Sequence, residues 1–137
     1  MALHMVRTTQ TAEFVHVSDT DAIRPVEGAA WPGPSAGWLS AVGQPASCTR
    51  FRVRPLSALE LSEATALLPP ADADERVRSV AAAQWAQRLC DLGIVAMIDG
   101  ATETPGPITP SNEWTYTLAT LVQDVTLYGP FGARSSR

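Results

Sequence analysis

The sequence predicts one small α+β domain, with two or more short antiparallel strands packed against three helices and an irregular arm rich in Pro, Gly and Trp. Three observations carry this prediction. Residues 49–54, Thr-Arg-Phe-Arg-Val-Arg, alternate between polar and apolar, the period of a half-buried strand. The stretches 73–92 and 112–127 repeat apolar residues every three or four positions, the period of a helix with one side on a core. Finally, 137 residues, 45% of them hydrophobic and only 18% charged, can fill one core without a disulfide or metal staple.

A flexible start is expected over 1–11, where His4-Met5 resembles a junction and Met5 the native beginning. Residues 12–17, AEFVHV, form a short strand with Glu13, Val15 and Val17 on one face and Phe14 and His16 on the other. Ser18-Asp19-Thr20-Asp21 has the chemistry of an Asx turn and lacks the glycine and distal glutamate of a calcium loop.

The arm or loop of 25–48 holds four prolines and four glycines, too many for a long helix. Trp31 and Trp38 admit two readings. They tack the loop to the body, or they form a partner-docking arm, since long loops in compact domains are often functional.

In 49–54, Phe51 and Val53 point inward while Arg50, Arg52 and Arg54 point outward, and Pro55 ends the pairing. Ser57 and Glu60 make a capping box for a helix over 58–68, with Leu59 and Leu67 toward the core and Pro69-Pro70 as the stop. Asp72 with Glu75 repeats that logic for 73–92, with Val80, Trp85, Leu89 and Leu92 inward and Gly93 just past the end. The run 94–98, IVAMI, is a buried strand or a continuation of the helical packing. Residues 100–110 read as a turn-rich loop. Ser111 or Asn112 caps the last helix, which carries four threonines and so depends on tertiary packing of Leu118, Leu121, Val122 and Val125. A frayed tail follows over 129–137.

Composition narrows the function classes. The net charge is −4, which argues against nucleic acid as the main partner. All ten basic residues are arginine; without lysine, a P-loop or Schiff-base mechanism is excluded. There is no GxSxG. Cys48 and Cys90 lie far apart with no CxxC partner, and the only histidines are His4 and His16, so no catalytic residue, metal or cofactor is expected. No apolar run approaches a membrane span, so no membrane partner is expected either.

The surface candidates are Trp31 and Trp38 with the row Arg50, Arg52 and Arg54. That row reads in two ways: as a solvated face bridging acidic groups such as Glu60 and Glu63, or as a nucleic-acid-binding strand tracking phosphates.

The order of elements carries a resemblance. A strand FRVRPL enters a short acidic leucine-rich helix; a proline break, a longer helix ending in RLCDLGIV, a loop and a final helix follow. Over about 49–128, with VRPL at 53–56 as its sequence cue, this resembles the small accessory proteins encoded among the tail and head–tail genes of long-tailed bacteriophages, including tail assembly chaperones. The resemblance implies a non-enzymatic structural or assembly protein. Its partners would be other phage structural proteins or copies of itself, in the host cytoplasm during assembly or in the virion. Extended arms that lap onto neighbours would suit Trp31 and Trp38.

Overall fold

The structure, a computed structural model, describes residues 10–24 and 37–128. Most of the flexible start, the part of the arm holding Trp31, and the tail 129–137 lie outside the described residues. The elements run β1 (Ala12–His16), β2 (Trp38–Ser40), β3 (Thr49–Val53), α1 (Ala58–Thr65), α2 (Glu75–Gly93), β4 (Ile94–Asp99), β5 (Thr102–Pro105) and α3 (Asn112–Tyr128). The strands form one antiparallel sheet in the order β2-β1-β3-β4-β5. The α+β class and single-domain architecture are as the sequence predicts.

The main core lies between one face of this sheet and the helices. Phe14, Phe51, Val53 and Ile94 meet Leu89 and Cys90 of α2 and Leu118, Leu121, Val122 and Val125 of α3. The two long helices approach closely because α2 ends in Gly93, where a Cβ would sit 2.3 Å from Val122 Cγ1. Gly93 is thus the last helical residue, retained for contact, and Ile94 occupies the C-cap. From there the chain passes directly into β4, so IVAMI is a strand: Phe51 faces Met97, and Arg52 faces Ala96.

Of the two capping signals, one holds as read and one moves by two residues. Ser57 Oγ accepts from the Glu60 N–H at 3.1 Å and Glu60 Oε1 accepts from the Ser57 N–H at 3.0 Å, completing the capping box. For α2 the cap is Asp74, whose carboxylate accepts from the Val77 N–H at 2.9 Å, in place of Asp72.

Five further expectations are corrected. Part of the irregular arm is ordered: Trp38–Ser40 pairs with β1 as an edge strand. Part of the 100–110 loop is β5, joined to β4 by a tight turn in which Gly100 takes φ +61°, the conformation a Gly-first hairpin turn demands. Leu59 is 69% exposed, because α1 turns Leu61 and Ala64 inward and Leu59 lies on the other side. Likewise Val80 is 54% exposed: it sits nine residues, about 180° of helical rotation, from the buried Leu89. Leu67 follows the end of α1, which stops short of the predicted 68, and is also exposed.

Candidate functional site

The arginine row is an ion-pair network. Glu13 is the cross-strand partner of Arg52, and its Oε2 accepts from Arg52 Nε and Nη2 at 3.1 Å each. Arg52 Nη2 also donates to Glu103 Oε1 at 3.2 Å, reaching β5 over the small side chain of Ala96. These hydrogen bonds, first from Glu103 and then from Glu13, push the Arg52 pKa up. Arg54 grips Glu60 with two bonds, 2.7 and 3.1 Å, and Arg50 donates to the Gln44 carbonyl at 3.0 Å with Glu13 Oε1 3.8 Å away. Three cations therefore face three carboxylates, and the bridging reading fits the geometry better than a phosphate-tracking stripe. Glu60 is legible from its place in the capping box. Glu13 and Glu103 become partners only through strand pairing, which local sequence does not reveal.

Trp38 is not a docking residue. It is 1% exposed and stands edge-to-face with His16, Phe51 and Trp114, with centroids 4.9, 5.7 and 6.4 Å away. The tacking reading is the one the structure bears out at this position. An indole so enclosed contributes area to folding, not to a partner.

Beside it opens a cleft of about 480 Å³, walled by Phe51, Met97, Ile108 and Trp114, with His16 and Asp19 at its polar side. His16 Nδ1 accepts from the Ser18 N–H at 3.2 Å and lies 2.7 Å from Ser18 Oγ, so the neutral ring carries its proton on Nε2. Burial lowers the His16 pKa, which favours that neutral form. Asp19 is occupied with backbone: its oxygens accept from the N–H groups of Asp21, at 3.0 Å, and of Thr49, at 2.9 Å.

Among the described residues no carboxylate hydrogen-bonds to the His16 ring, and its hydrogen-bond partner Ser18 lies two residues on, in the turn that follows β1. The cleft's shape suits a small, largely apolar molecule. Cys48 is buried under Val15 and Ala41, and burial, then the charges of Asp19 and Asp21, pushes its pKa up. Burial, then Asp91, pushes Cys90 up to about 12, so neither thiol is poised as a nucleophile. Among the described residues no three metal-ligating side chains gather, and no helix is long and apolar enough to cross a membrane.

A third feature was not anticipated. On the outward side of α2, Val77 is 49% exposed beside Val80. Val80 stands between two shallow grooves, one of about 340 Å³ along Val77 and Gln84, the other of about 590 Å³ running to Pro110 and Tyr116 at the start of α3. The sequence signal was the excess of apolar positions on α2, which a single inward face cannot absorb. Comparison with family models, curated proteins and solved structures gives no match for this chain.

Proposed function

We propose that the protein is a non-enzymatic structural or assembly component of a long-tailed bacteriophage, a tail or head–tail accessory protein, and that it acts by protein–protein contact through the outward face of α2. The observation that carries the contact reading is the pair Val77 and Val80, half-exposed on a helix whose opposite side already closes a complete core. Aliphatic side chains grouped beside grooves gain free energy only when something covers them. The phage setting comes from the arrangement of strand, acidic helix, long helix and final helix over 49–128.

The test is replacement of Val77 and Val80 by aspartate in the phage gene. The purified variant should keep its melting temperature, because both positions face solvent and surface substitutions cost within about 0.5 kcal/mol. Particle yield should fall by at least tenfold. Full yield of infectious particles from this variant would overturn the reading.

A further inference from the structure

The cleft beside Trp38 opens onto the main core. Phe51 and Leu118, buried members of that core, line it together with the partly buried Met97, Ile108 and Trp114. We propose that this cleft is a binding site for a small, uncharged aromatic molecule carrying one hydroxyl or amide group, with Trp114 and His16 as the corner that receives its ring. The site is independent of the contact face on α2, since neither Val77 nor Val80 lines it.

Size and shape set the first limits. At about 480 Å³ the cleft falls within the range of about 300–1,000 Å³ in which folded proteins hold small organic molecules. The rings of His16 and Trp114 stand 4.9 Å apart at 83° to one another. Two perpendicular rings offer a planar guest a face to stack on and an edge to meet, the arrangements that aromatic pairs prefer. Trp38 packs against both, with centroids 4.9 and 6.4 Å away, and is itself buried. The corner is therefore fixed before anything enters, which lowers the ordering cost of binding.

Charge sets the next limit. Among the described residues the only charged side chain at the cleft is Asp19. His16 is held toward its neutral form by burial. The arginines of β3 alternate with Phe51, so they stand on the opposite side of the strand, and each is paired with a carboxylate there. A carboxylate or phosphate guest would lose its water and meet only a like charge. Both Asp19 oxygens already accept backbone N–H groups, from Asp21 and Thr49, so an ammonium would give up its water for a charge that is met in part. A neutral guest avoids both penalties. Its single polar group has partners waiting: the hydroxyls of Thr49, Thr109 and Ser111 line the cleft and make no hydrogen bond among the described residues.

The experiment titrates the full chain with four guests of one skeleton: 2-naphthol, 2-naphthoate, 2-naphthylmethylammonium and the saturated decahydro-2-naphthol. Binding is followed by nuclear magnetic resonance at the Met97 methyl and the Trp114 indole N–H. Naphthol should shift both signals with a dissociation constant of about 100 μM or tighter. Naphthoate and the ammonium should each bind at least tenfold more weakly. The saturated alcohol should lose about 2- to 10-fold, the worth of one aromatic contact. Ile108→Trp fills the cleft and should abolish naphthol binding while the melting temperature holds; the guest series needs no variant and decides the matter if this one fails to fold. No shift at about 1 mM naphthol, or shifts that leave Met97 and Trp114 untouched, overturns the site. Naphthoate or the ammonium binding as tightly as naphthol overturns the uncharged class, and equal binding of the saturated alcohol overturns the aromatic one.

Discussion

Glu60 ties three parts of the structure together, and the effect of removing its charge can be worked out in advance. Its carboxylate receives two hydrogen bonds from Arg54 and one from the Ser57 N–H, so β3, the turn and the first turn of α1 share one anion. The Arg54 hydrogen bonds are the main cause that lowers its pKa from 4.5 to about 2. At about 1.4 kcal/mol per unit, the difference corresponds to about 3 kcal/mol if the site were sealed from water. The two side chains remain 22% and 27% exposed, so screening reduces this to about 1–2 kcal/mol.

Because the folded pKa is depressed, the contribution is fully present above pH 4.5 and is lost as pH falls from about 4.5 toward 2. Glu60→Gln keeps an acceptor for the Ser57 N–H and removes the charge. It should therefore destabilise the protein by about 1–2 kcal/mol at pH 7, a few degrees of melting temperature. The gap should close by pH 2. Thermal unfolding of both proteins followed by circular dichroism between pH 7 and 2 measures this. A gap that stays constant across that range would refute the ion-pair argument and leave only local packing to explain it.

Other expectations follow from the same packing. Gly93→Ala drives a methyl into Val122 and should cost about 1–3 kcal/mol, measured by urea unfolding, with Val122→Ala recovering part of the loss in the double variant. Trp38→Ala should cost about 3–5 kcal/mol, whereas a docking indole would leave the melting temperature unchanged. Neither native cysteine should react with a thiol reagent at pH 8 within minutes, and both should do so once the chain is unfolded in denaturant.

The sequence by itself determined the α+β class, the inward faces of β3 and α3, and the capping box at Ser57. Each is a local property: a period of two, a period of 3.6, or a side chain reaching its own backbone three residues away. Tertiary structure decided the rest. Which face of α1 and α2 turns inward depends on what lies across from it, so Leu59 and Val80 look outward although their spacing suits a core. The strands at 38–40 and 102–105 are three and four residues long and carry almost no periodic signal; pairing with β1 and β4 makes them strands. The same pairing brings Glu13 and Glu103 to Arg52 from 39 and 51 residues away. The bridging of the arginine row was thus legible at Glu60, six residues from Arg54, while the acids at Arg52 are brought near only by long-range strand pairing.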